Sequence, residues 1–162
     1  MSTNGESQVQ ARSAELSVRY AGFWYRALAA LIDTVLVNVT AFFVVIPLAI
    51  SMGLSMSDSS SAEEIEAAGQ GLGFLLSMLI QWLWFTIGES SSWQGSVGKK
   101  MLGLRVTDEK GRRISFGRAN GRYWGKIVSA LILFIGFLMA AFTERKQALH
   151  DKMAGTLVIK AR

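Results

Sequence analysis

Three apolar blocks separated by charged loops set the pattern of this chain. The first stretch runs from Gly22 to Met56, and Asp33 is the only formal charge between Ala27 and Met56. It exceeds the roughly 20 apolar residues a helix needs to cross the hydrocarbon core of a bilayer. Phe23, Trp24 and Tyr25 precede the apolar run, where amphipathic rings favour the membrane–water interface. A second, uncharged block spans Gly71 to Ile87, 17 residues, the lower limit for a crossing helix. The third, Ile127 to Phe142, has 16 residues, or about 19 from Trp124, and is interrupted by Gly136. The predicted spans cover about 24–53, 71–87 and 124–142. The pattern predicts an all-α membrane protein with two to three transmembrane helices.

The segments between the blocks differ in charge. Residues 1–19 read as a disordered tail without the apolar core of a cleavable signal peptide, so the first span is expected to serve as the targeting signal. Ser57 to Gln70 carries Asp58, Glu63, Glu64 and Glu66 and no Lys or Arg, with Asp58 or Ser61 expected to cap a short acidic helical turn. Gly88 to Lys126 holds nine Lys/Arg against Glu89, Asp108 and Glu109. Within it Leu102, Leu104 and Val106 alternate before a turn at Glu109-Lys110-Gly111, which predicts a small β-hairpin inside the basic loop. Ser115 then caps a helix in which Arg118, Arg122 and Lys126 recur every four residues, a face predicted to contact anionic lipid headgroups. The tail from Thr143 ends in a strand-like run, Thr156 to Lys160.

Positive residues favour the cytoplasmic side. The N-terminus and basic loop are therefore expected in the cytoplasm and the acidic loop outside, in a multi-pass protein of the cell (inner) membrane. Two arrangements of the third block remain open: a full crossing puts the basic tail outside, and a re-entrant hairpin keeps it beside the basic loop.

Charge inside the first span narrows the chemistry. Arg26 and Asp33 lie seven residues apart, about two turns and roughly 10 Å of rise, so they share a helix face, continued by Thr40 and Pro47. An aspartate at a helix centre costs roughly 2.5 to 3.5 kcal/mol on insertion scales, so Asp33 should face protein or water. It reads either as a structural hydrogen-bonding group or as an ion- or proton-handling carboxylate, with Arg26 as an interfacial anchor or as its charge partner. The absence of cysteine and the single histidine, His150, exclude disulfides, thiolate chemistry and a multi-His metal site within one chain. No cofactor is implied. The net charge of +5 points, beside such long apolar blocks, to anionic headgroups and not to nucleic acid.

The segment GSVGKKMLG fails the phosphate-loop pattern at Trp93 and at Lys100, and neither a nucleophile elbow nor a zinc-protease helix is present. Enzymatic activity is therefore not expected. His150 and Asp151 are adjacent, a pair that reads as a cap or tail anchor.

Four segments in order, GFWYRALAALID, GSVGKKMLGLRV, ISFGRANGRYWGK and KQALHDKMAGTLVI, resemble the RDD family of small bacterial membrane proteins. The resemblance covers Tyr20 to Lys160. It implies that Arg26, Asp33 and Asp151 are the arginine and two aspartates for which the family is named. It also implies transport, commonly proposed for the family, with cation/proton antiport reported for a member. The leading expectation is transport of a small ion by a homo-oligomer, with Asp33 as the carrier group and Asp151 ordering the tail. The alternatives are a non-catalytic scaffold or accessory subunit of a larger membrane protein and, more weakly, a lipid-headgroup-binding protein.

Overall fold

The computed structural model describes residues 19–57, 60–132 and 135–161. Two long helices dominate it. Helix α1 spans Phe23–Met56, 34 residues, or about 51 Å at 1.5 Å per residue. Helix α2 spans Ala62–Ser90, 29 residues. Both are long and apolar enough to cross a membrane.

Ser61 starts α2 with a reciprocal cap: its hydroxyl accepts from Glu64 N (3.3 Å) while its own N–H donates to Glu64 Oε2 (2.8 Å). The acidic segment is thus the first turns of the second span itself and not a separate helical turn. Asp58, the other expected cap, lies outside the described residues. The two helices run antiparallel, as three contacts along them require: Gly53 faces Ile65, Gly73 faces Val45, and Trp84 reaches Asp33. Their outer surfaces stay bare, with Phe43 71% and Leu54 73% exposed. That is the surface a lipid-solvated helix pair should present.

The chain's core lies at one end of this pair. After α2 comes the short helix α3, Val97–Met101, and the strand β1, Leu104–Asp108. The expected turn forms: Asp108 accepts from Lys110 N and Arg112 N, and Gly111 takes φ +76°. The expected hairpin does not. Arg112 and Arg113, beyond the turn, are exposed charges without apolar alternation, and the chain leaves the sheet for Ile114 and the cap at Ser115. The partner of β1 is β2, Thr156–Lys160, antiparallel with Leu104 opposite Lys160 and Asp108 opposite Thr156. Tyr20 bridges to Ile159 on the other side of β2. Ala21, Leu104, Val106, Ile114, Ala119 and Val158 form the buried cluster beneath this sheet.

The third apolar block is broken. Helix α4, Phe116–Leu131, and helix α5, Ile135–Phe142, meet at a bend of 102°. Gly136 makes the fold-back possible, because a Cβ there would lie 2.8 Å from Ser129 Cβ. Helix α6, Leu149–Met153, then packs on α4, with Gly125 against His150. The block therefore turns back: β2 joins β1 and Tyr20, placing the tail on the same side as the basic loop and the start of α1. Exposed Trp24, Tyr25, Trp93, Phe116 and Trp124 surround this polar end, as an aromatic belt would at an interface.

Candidate functional site

Where the two spans enter the polar end, the fold buries an unusual number of ionisable groups. Asp33 is fully buried. Its Oδ1 accepts from Trp84 Nε1 (3.1 Å) and Gly98 N (2.8 Å), and its Oδ2 accepts from the Ser96 hydroxyl. Three neutral donors, from α2, from the loop before α3 and from α3, thus converge on one carboxylate. Gly98 is required there: a Cβ would sit 2.4 Å from Ala29 O and 2.9 Å from Asp33 Cγ.

Arg26 does not pair with Asp33, as the shared helix face had suggested. It turns to Asp151 instead, while its Nε donates to Ala21 O at 3.0 Å. Asp151 Oδ2 also accepts from Ala148 N (2.9 Å), capping α6. Through these contacts Asp151 ties α6 to α1. Arg122 lies 2.5 Å from Asp151 Oδ1 and 3.0 Å from Glu89 Oε2, both off the hydrogen-bond line, and donates to Thr156 Oγ1 at 2.8 Å. Glu89 Oε1 is held by Lys99 (2.5 Å) and Lys126 (3.4 Å). Lys126 also stands over the Phe85 ring, 4.1 Å from its centroid.

The headgroup-binding face is therefore corrected in two of its three members. Arg122 is 1% exposed and Lys126 points to Glu89, because α4 packs this side against α2 and α6 and not on lipid. Only Arg118 remains exposed, 3.9 Å from Asp108. Glu89, Lys99, Ser96 and Trp84 are the site members missed in the sequence. Glu89 stands two residues beyond the second apolar block, and nothing in GSVGKKMLG signals that Lys99 meets that carboxylate or that Ser96 and Gly98 meet Asp33.

Burial and neighbours shift the groups outside the spans. Burial brings the Lys99 ammonium down to about 8 despite the nearby Glu89, with Lys126 and Arg122 adding to the effect. His150 is pushed down to about 3 by burial and by Arg122, which outweigh the adjacent Asp151, so it is neutral at pH 7. Burial favours the protonated Asp151, but Arg122 and Arg26 overcome it and hold the carboxyl well below the usual range. Helices α1 to α6 and β2 enclose a cavity of about 350 Å³ whose wall is almost wholly hydrocarbon, supplied by aromatic and alanine side chains and by the stems of Arg26, Lys99, Arg122 and Lys126, with Asp33 also lining it.

Polar groups of α1 beyond Asp33 bond to their own helix. Thr34, Asn38 and Thr40 each donate to the carbonyl four residues back, at 2.8, 2.7 and 2.8 Å.

The sequence profile of the RDD family matches residues 20–155. "Uncharacterized protein YxaI" of Bacillus subtilis is 38% identical over 146 residues, covering 86% of this chain and 96% of that protein. The "Proline-rich antigen homolog" of Mycobacterium tuberculosis is 28% identical over 96 residues, 52% of this chain and 40% of that longer protein. No solved structure matches significantly. Arg26, Asp33 and Asp151, the three positions singled out by the resemblance, all lie in the polar end, and the chain belongs to the RDD family.

Proposed function

We propose that this membrane protein moves a small ion across the bilayer, coupled to a proton held at the contact between Lys99 and Glu89. The observation that carries the reading is the buried cluster of cations and carboxylates bordering a cavity where the spans meet the polar end. Ionisable groups at membrane depth are costly and typically serve ion or proton pathways. Sequence reasoning put the carrier role in cation/proton exchange on Asp33. With both of its oxygens accepting from neutral donors, Asp33 is better read as a bolt between α1, α2 and α3. Lys99, brought down to about 8, exchanges its proton near neutral pH against a carboxylate 2.5 Å away.

The working unit is a homo-oligomer without enzymatic activity. It sits in the cell (inner) membrane with the polar end and N-terminus cytoplasmic, and exposed Lys100, Arg112, Arg113 and Arg118 meet anionic headgroups. The rival, a scaffold or accessory subunit, draws support from the way Arg26, Arg122 and Asp151 satisfy one another. Purified protein in liposomes, with imposed pH gradients and H⁺, Na⁺, K⁺ and small organic anions followed in turn, decides between them. Proton-linked flux lost in Lys99→Met and retained in Asp33→Asn is the expected result. No flux under any gradient moves the reading to the scaffold.

A further inference from the structure

The charges around the cavity do not balance. Arg26, Lys99, Arg122 and Lys126 are four cations, against Asp33, Glu89 and Asp151, and His150 contributes no charge at pH 7. Arg26 and Lys126 are only partly exposed, and a surplus cation held largely out of water is stabilised when an anion joins it. Arg26 Nη2 is also buried without a hydrogen-bond partner among the described residues, while Nη1 and Nε are taken by Asp151 and Ala21, which leaves one charged N–H group for an oxyanion. The wall itself is almost wholly apolar: Phe23, Phe85, Phe137 and Ala140 line it together with the hydrocarbon stems of the cations, and Ala30, also in the lining, is exposed. About 350 Å³ lies within the range of small-molecule sites, roughly 300 to 1,000 Å³.

We propose that this cavity binds a small organic anion, an apolar body bearing one carboxylate or phosphate group. The anionic group sits against Arg26, Lys99 and Lys126, and the body lies along the three phenylalanines and leaves past Ala30. A metal cation would meet four positive groups. A bare inorganic anion would leave the aromatic wall in contact with water. The bound anion supplies Lys99 with a second negative neighbour besides Glu89, opposing the influence of Lys126 and Arg122, so anion and proton bind together. That coupling gives the proposed transport its cargo class, and in this respect the inference rests on the transport reading.

Binding can be tested without transport. Full-length protein in phosphatidylcholine nanodiscs is titrated calorimetrically with hexyl phosphate, inorganic phosphate and hexanol, with empty nanodiscs subtracted. Hexyl phosphate should bind saturably and at least tenfold more tightly than inorganic phosphate, and hexanol should not saturate. Lys99→Met should weaken hexyl phosphate at least tenfold. Ala30→Trp, which alters no charge at an exposed rim position, should reduce hexyl phosphate to the level of inorganic phosphate.

Absence of hexyl phosphate binding, equal binding of hexanol, or wild-type affinity in both variants overturns the site. Replacing half the lipid with phosphatidylglycerol identifies the source. Competition points to a bilayer lipid, and unchanged affinity points to a water-soluble organic anion. Binding without flux rejects transport alone, whereas flux without binding rejects the anion alone.

Discussion

Replacing Asp33 separates a bolt from a carrier. In Asp33→Leu, two buried donors (the Ser96 hydroxyl and Gly98 N) and the part-buried Trp84 Nε1 lose their acceptor together. Each buried orphan costs about 1 to 3 kcal/mol, so the two buried donors alone lose about 2 to 6 kcal/mol and Trp84 adds less. Asp33→Asn keeps one carbonyl oxygen for Trp84 and Gly98 and presents an amide to Ser96, whose hydroxyl can rotate to accept. Its cost is the difference between charge-assisted and neutral bonds, about 1 kcal/mol at each of the two retained donors. Thermal unfolding in detergent should therefore rank wild type just above Asn and far above Leu, and liposome flux should persist in Asn. An Asn variant that melts like wild type but moves no ions would restore Asp33 as the carrier. An Asn variant as unstable as Leu would show that the negative charge itself holds the fold.

Gly98→Ala places a Cβ 2.4 Å from Ala29 O. It should cost about 1 to 3 kcal/mol by overpacking, whereas Gly121→Ala, with nothing within 4 Å, should be neutral or slightly stabilising in melts of both variants. His150 has its folded pKa depressed to about 3 from 6.5, so the unfolded chain binds the extra proton between those values and stability falls as pH drops below 6.5. His150→Gln should flatten the melting temperature between pH 6.5 and 4, and an unchanged slope would refute the buried neutral imidazole. Single cysteines at exposed Lys110 and Lys152 should label from the same side of the membrane, and one at Ser60 from the other; Lys152 labelling with Ser60 would mean the third block crosses.

Much of this architecture was legible because long apolar runs have few alternatives to spanning helices. Ser61 and Ser115 were readable as caps for a local reason: each bonds to a backbone N–H three residues on. What stayed hidden was long-range. The alternation at Leu104 and Val106 marks a strand but cannot name its partner, and β2 lies about 50 residues away, beyond a fold-back of α4 and α5 that depends on Gly136 meeting Ser129. The repeat of Arg118, Arg122 and Lys126 is the same whether that face meets lipid or protein. Burial against Glu89 and Asp151 decided it. Arg26 and Asp33 shared a face in the sequence, yet Asp151, 125 positions from Arg26, supplies the closer carboxylate.

The polar end also limits what one copy can do alone. The cavity and, among the described residues, the buried charges lie at the level of Asp33 or nearer the sheet. Beyond Asp33, α1 carries Thr34, Asn38 and Thr40, all bonded to their own helix, and its outer face is lined by residues such as Phe42, Phe43 and Ile50. An ion leaving the cavity would meet hydrocarbon there, where an unsolvated charge costs many kcal/mol. On the proposed transport reading, a second copy whose α1–α2 pair closes a water-filled gap against the first would supply the route across. Light scattering of the purified protein in detergent should give at least a dimer, and flux should fall faster than linearly as the protein is diluted into excess lipid. A monomer that sustains wild-type flux per chain at every dilution would show that one copy holds the whole path.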